Sequence, residues 1–170
     1  ATIAYATAQV TLAPEQQKKT EFRHSQTVMA DMLTAQSNIV KAGATGLRQT
    51  STVTMGTTYP FRLFLLHPPD PGGSIMTGDE TAVTIENAQA VNTETSDYLD
   101  GSEIRYQTRG FEYQPNYNEF ANPPTYQYEN TVMFAEYEGR REVLGNPTFV
   151  SGNQIGVVTT AGNFDLGTQQ

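Results

Sequence analysis

Residues 14–40 read PEQQKKTEFRHSQTVMADMLTAQSNIV. Pro14 and Glu15 have the makings of a first helical turn: proline has no N–H to leave unpaired there, and an acid faces the positive end of the helix dipole. From Phe22 the apolar residues fall at helical spacing, as Phe22, Met29, Met32, Leu33, Ile39 and Val40. Phe22, Met29 and Gln36 repeat every seven residues, with Met32 and Ile39 each three residues after one of them, which is one stripe on an amphipathic helix. Lys41 stands near the expected C-terminal end, and Gly43 and Gly46 stop the helix. Residues 15–42 would make a rod of about 42 Å at 1.5 Å per residue.

On either side the texture differs. Ala1–Ala13, ATIAYATAQVTLA, carries no charge. It reads either as the end of a membrane anchor or as a strand with Ala4, Ala6, Ala8, Val10 and Leu12 on one face. After Gly46, Thr, Val, Tyr and Gly dominate and the period shortens to two. Val53 and Met55 alternate with polar neighbours. Phe61–Leu66 is a nearly continuous apolar run, as expected of a buried central strand. Pro68, Pro69 and Pro71 cannot donate ladder bonds and end it, and Gly72 and Gly73 permit a reversal. Ile75–Met76 and Ala82–Ile85 flank a TGDE turn. Glu103–Tyr113 reads as a strand or strand pair. Tyr126–Tyr137 and Arg141–Leu144 flank a hairpin with Gly139 at its turn, and Gln154–Thr160 is the last strand. The fold class is therefore α+β: one long N-terminal amphipathic helix (residues 1–46 with its leading segment) followed by an antiparallel β-sandwich-like body (47–170).

Composition narrows the function. The 170 residues hold 18 acids against 10 bases, a net charge of −8, which repels phosphate backbones and argues against a nucleic-acid partner. Only three of the bases are lysines, and acid excess with little lysine fits a protein kept soluble at high salt. There is no cysteine, hence no disulfide, thiolate metal site or thiol nucleophile. No run reaches the ~18 apolar residues of a membrane span.

Chemical motifs are sparse. His24 and His67 are the two histidines. His67 with Asp70 suggests part of a triad, but nothing marks a nucleophile, and the nucleophile-elbow, zincin and phosphate-loop patterns are absent. Asp97, Asp100 and Glu103 in SDYLDGSE gather oxygen ligands near a glycine, though not at the spacing of a calcium loop. Arg140 and Arg141 sit among Glu136, Glu138 and Glu142 and are expected to pair locally. No cofactor or metal is expected. Two surfaces stand out. Phe22, Met29, Leu33 and Val40 are candidates for self-association along the helix, against the plainer reading that they pack on the protein's own sheet. Tyr113, Tyr117, Tyr126 and Tyr128 are candidates for a sugar or protein partner. The alternation of Phe111, Tyr113, Tyr126 and Tyr128 on two strands favours packing instead.

Five stretches in order, EFRHSQTVMADM (21–32), GTTYPFRLFLLHPPDPGG (56–73), SDYLDGSE (96–103), YQPNYNEFANPPTYQYENTVMF (113–134) and VSGNQIGVVTTAGNFD (150–165), together resemble an uncharacterised family of archaeal envelope proteins, best represented in salt-loving archaea and related to type IV pilins. The resemblance covers most of the chain from Pro14 onward. It implies a hydrophobic N-terminal helix in the membrane, a β-rich part outside the cell, and members often longer than this chain. The expected function is thus a non-enzymatic cell-surface structural protein, pilin-like, a filament subunit or adhesin. It would associate with itself or other envelope proteins and be anchored through its N-terminus. The alternative is an extracellular carbohydrate- or partner-binding module using residues 111–128.

Overall fold

The computed structural model describes residues 2–60, 68–145, 150–152, 154–162 and 165–167. Helix α1 spans Thr2–Thr45, about 66 Å at 1.5 Å per residue. It starts earlier than the sequence suggests, so the strand reading of Ala1–Ala13 gives way to helix from Thr2. Pro14 lies inside it rather than at its first turn, where it can offer no N–H to the carbonyl of Val10. The end is built as expected. Gly46 sits at φ +67°, and its N–H donates to the Ala42 carbonyl at 2.8 Å, a left-handed cap that β-carbon-bearing residues adopt poorly.

The chain then turns back along the helix. Asn38 Nδ2 donates to the Thr50 carbonyl (3.1 Å) and to Ser51 Oγ (3.0 Å). The Thr54 N–H donates to Asp31 Oδ2 at 2.9 Å, and His24 Nε2 bonds the Thr54 carbonyl at 3.0 Å. Asn38, Asp31 and His24 repeat every seven residues, two turns of helix, so one polar seam of α1 holds this return segment. Val53 and Met55 tuck onto the core as their alternation suggests. The segment nevertheless bonds helix side chains instead of a neighbouring strand, except at an isolated bridge between Gly56 and Gly72. Phe61–Leu66, the expected central strand, lies outside the described residues, as does His67.

The body is one antiparallel sheet of six strands in the order β5-β4-β3-β2-β1-β8. They are β1 Gly72–Ile85, β2 Ile104–Asn116, β3 Thr125–Glu129, β4 Val132–Tyr137, β5 Arg140–Leu144 and β8 Asp165–Gly167. β6 (Val150–Ser151) and β7 (Gln154–Ile155) pair separately. The sheet departs from the expected strands in three places. The TGDE stretch is not a turn: β1 runs through it, and only a register shift between Thr77 and Glu80 marks it. Tyr126–Tyr137 is two strands, reversed at Asn130-Thr131 with φ of 46° and 79°. The Gly139 hairpin is present, with Glu138 and Gly139 at φ 45° and 80°. These paired positive φ values are those of the tight hairpin turns whose twist matches the strands. Of Gln154–Thr160, only the first two residues form a strand. The Arg109 N–H donates instead to the Thr160 carbonyl at 2.8 Å, so the end of this segment lies beside β2.

Register explains the core. Ile75, Tyr113, Tyr126 and Ala135 are successive cross-strand partners, and so are Thr77, Phe111, Tyr128, Met133 and Leu144. Directly opposed residues share a face, and this face is the one α1 covers with Val28 and Met32. Tyr113, Tyr126 and Tyr128 are 0%, 1% and 0% exposed. In a chain without tryptophan these rings are the largest fully buried side chains among the described residues, each burying roughly 150–250 Å². Gly73 matters because a β-carbon there would come within 2.3 Å of the Tyr113 ring. It lies in β1 and makes room for the ring instead of reversing the chain. The body is therefore a sheet with a helix across its inner face, and no second facing sheet is present among the described residues.

Candidate functional site

The most constrained chemistry lies where α1 meets the loop after β2. Glu21 is completely buried. Its Oε1 accepts from the Tyr59 hydroxyl and, at 2.7 Å, from the Asn118 N–H. Its Oε2 accepts from the Glu119 N–H (2.9 Å) and the Phe120 N–H (2.5 Å). Three consecutive backbone amides thus form a concave anion seat, and the anion is the protein's own side chain. Asn118 Nδ2 closes the ring, donating to the Tyr59 oxygen at 2.8 Å and to the Pro69 carbonyl at 2.9 Å. Two stretches of chain, at Tyr59 and at Asn118–Phe120, thus converge on the carboxylate that α1 supplies, and Pro69 is tied in through Asn118. Among the described residues no lysine or arginine pairs with it, so hydrogen bonds alone replace its hydration. Burial, and then the hydrogen bond given to Glu21, push the Tyr59 phenol well above its ordinary range, so it remains a donor at any ordinary pH.

One turn further on, His24 is 4% exposed. Its Nε2 faces the Thr54 carbonyl, an acceptor, so Nε2 carries the proton. Nδ1 then accepts from the Tyr117 hydroxyl at 2.8 Å. Burial lowers the His24 pKa against the opposing pull of the Thr54 carbonyl and Asp31. Ser25 Oγ and the Tyr126 hydroxyl lie 3.0 Å apart, and Tyr126 donates to the Ser25 carbonyl at 3.1 Å. Tyr113 lies nearby with its hydroxyl buried and no well-formed hydrogen bond, although the Tyr117 phenol is close enough to influence it. Burial pushes Tyr113 up to about 12. Tyr117 stacks near Phe120 (centroids 6.0 Å), and Phe120 meets Phe22 edge-on at 5.6 Å. The loop therefore clasps one turn of helix with both polar and aromatic contacts. Every donor this cluster aims at Glu21 is already engaged by it, so the arrangement acts as a joint that fixes the helix to the sheet.

The candidate residues fall on both sides of this joint. Phe22 is 49% exposed and touches the loop through Phe120. Met29 and Leu33 lean on the protein's own core, and Val40 is half-buried. The buried line on α1 is Glu21, His24, Ser25, Val28, Met32 and Ala35, rotated by one residue from the stripe through Phe22 and Met29. As a partner surface, Tyr113, Tyr126 and Tyr128 must be set aside, because their alternation puts them beneath the helix. Tyr117 is half-buried and occupied by His24. Asp97, Asp100 and Glu103 do not converge: Asp100 Oδ1 accepts from the Ser102 N–H at 2.9 Å. Among the described residues no group of three or more His, Asp or Glu side chains could hold a metal ion. Arg141 pairs locally, 2.9 Å from Glu129, and lies over the Phe134 ring at 4.3 Å. Among the described residues no helix is long and apolar enough to cross a membrane.

Glu21 escaped the sequence reading. Its one signal is that it heads a helical face, Glu21-Ser25-Val28-Met32-Ala35, whose later members are small or apolar. Comparison with family models, with curated proteins and with solved structures finds no match.

Two outcomes follow. Glu21→Gln turns an amide N–H₂ toward backbone donors and should cost about 3 kcal/mol in urea unfolding. Tyr59→Phe should cost about 1–2 kcal/mol, and the pair together should cost less than the sum of the two. Additive losses would show that the two groups do not act together. Because the folded state holds His24 neutral, its contribution is complete above its ordinary pKa of about 6.5 and falls away as pH drops below that value. Unfolding titrations between pH 5 and 7 should show a shallower pH slope for His24→Gln than for the parent protein. Identical slopes would rule out His24 as the group responsible.

Proposed function

We propose that this chain is a non-enzymatic structural subunit of an archaeal cell surface, type IV pilin-like, that builds a filament or serves as an adhesin. The observation that carries this reading is the excess length of α1 over its sheet. The helix begins at Thr2, and from Ala13, where its side chains are described, none is buried before Glu21. The 19 residues between, Thr2–Thr20, amount to about 28 Å of helix. The sequence Ala1–Ala13 has no charged residue to keep it in water. A helical stretch of this length is marginal without packing. The joint at Glu21 holds its base to the head, and neighbouring copies would supply the missing cover. The archaeal, extracellular setting rests on the resemblance through residues 14–165, and the acid excess suits a surface exposed to strong salt.

Electron microscopy of the purified chain in high salt tests the reading. Filaments or tubes are expected. Dispersed monomers at high concentration, confirmed by sedimentation, would overturn the filament reading.

A further inference from the structure

β1 and β2 continue well past the sheet. β3 pairs with β2 only at Phe111–Tyr113, whereas the β1–β2 ladder runs on from Glu80↔Arg109 to Ile85↔Ile104. Thr160 flanks β2 at Thr108 and Arg109; beyond it, from Ala82↔Gln107 on, the result is a two-stranded arm tipped by residues 86–103. Cross-strand register puts Val83 with Tyr106 and Ile85 with Ile104 on one face of it, and Ala82 with Gln107 and Thr84 with Arg105 on the other. The first face is apolar and, among the described residues, only partly covered: Ile85 is 41% and Tyr106 50% exposed, with Val83 and Ile104 half-buried. A free two-stranded ribbon with such a face is marginal in water. The tip is organised by its own bonds: Asn92 Oδ1 accepts from the Thr95 N–H at 3.0 Å, and Gln89 bridges Asp100. It carries Glu86, Glu94, Asp97, Asp100 and Glu103, all exposed, and no base.

The opposite pole of the molecule has the complementary chemistry. β2 runs from the arm at Ile104 to Asn116, and the loop just beyond grips Glu21. The projecting part of α1 therefore leaves the sheet at one end. The arm leaves at the other, where Gln36 bonds the Thr131 carbonyl and Gly43 meets Val158. Where α1 emerges, Lys18, Lys19 and Arg23 are exposed, three of the chain's ten bases within six residues. Beyond them stands one exposed acid, Glu15, and then the charge-free sequence Ala1–Ala13.

We propose that the occupant of the arm is a second copy of this chain, whose projecting helix lies along the arm. The apolar arm face covers the charge-free stretch, and the acidic tip reaches the Lys18–Lys19–Arg23 collar at the base of that helix. The contact joins unlike surfaces at opposite poles, so it repeats head to tail and does not close into a pair. It rests on the filament reading and supplies the longitudinal contact of that filament.

A charge swap tests it in the full chain at low ionic strength, where surface charge counts most. One variant carries Lys18→Glu, Lys19→Glu and Arg23→Glu. The other carries Glu94→Lys, Asp97→Lys and Glu103→Lys, leaving the turn-forming Asp100 in place. Thermal melts establish that both fold. The pelleted fraction of each alone should fall at least tenfold below that of the parent, and an equal mixture should recover it, because acidic tips then meet basic collars and basic tips meet acidic collars alternately. Parent-like assembly of either folded variant alone, or failure of the mixture to recover, overturns the arm contact while the filament reading stands. A parent chain that assembles in high salt but not at low ionic strength likewise overturns the arm contact alone, and one that assembles in neither removes both. If a triple variant fails to fold, the single changes Lys19→Glu and Asp97→Lys replace it, with at least a threefold loss and recovery on mixing expected.

Discussion

A carboxylate with no counter-charge among the described residues, sealed from water and seated on three successive backbone amides, holds this structure together. Removing an anion from water costs several kcal/mol unless its lone pairs are fully engaged. Glu21 meets that condition only if the Asn118–Phe120 loop, the Tyr59 hydroxyl and the Asn118 side chain are all in place. The constraint runs both ways. The loop must stay folded to satisfy the helix, and the helix must keep its axial position to satisfy the loop. Hydrophobic contact through Val28 and Met32 would tolerate small slides along the sheet; a carboxylate bound by directed donors would not.

That fixed position links the fold to the proposed function. A subunit that presents a helix beyond its head needs the angle and reach of that helix to be the same in every copy. The Glu21 joint sits at the base of the projecting part, followed at once by the His24–Tyr117 and Ser25–Tyr126 pairs. At the other end, Gln36 reaches the carbonyl of Thr131, a buried β-branched residue at φ 79°. Such a residue keeps that backbone only when its surroundings hold it there, and the Val158 N–H bonded to its hydroxyl at 3.1 Å is part of that support. Polar bonds thus pin α1 near both ends of its packed length, with apolar packing between.

Local pattern made much of this legible. The helical spacing from Phe22 to Val40, the Gly46 stop, the Gly139 hairpin and the alternation of Tyr113, Tyr126 and Tyr128 all have short-range causes, and all appear in the structure. What was missed is either polar and buried or set by distant pairing. Glu21 draws its ligands from residues 38 and 97–99 positions away, and a glutamate on a helix reads by default as solvent-facing. Gly78-Asp79 has turn composition, yet β2 pairs on both sides of it and converts it into an irregularity within one strand. The reversal at Asn130-Thr131 was hidden because threonine is a poor residue for a left-handed position. The arm's amphipathic face depends on the register after that irregularity, which composition does not reveal.

Native-state hydrogen exchange at Asn118, Glu119 and Phe120 bears most directly on the central claim. If Glu21 locks the helix to the sheet, these three loop amides should exchange as slowly as the amides of Val28 and Met32, with a common dependence on denaturant. Exchange at the rate of an open loop, independent of the helix, would contradict it.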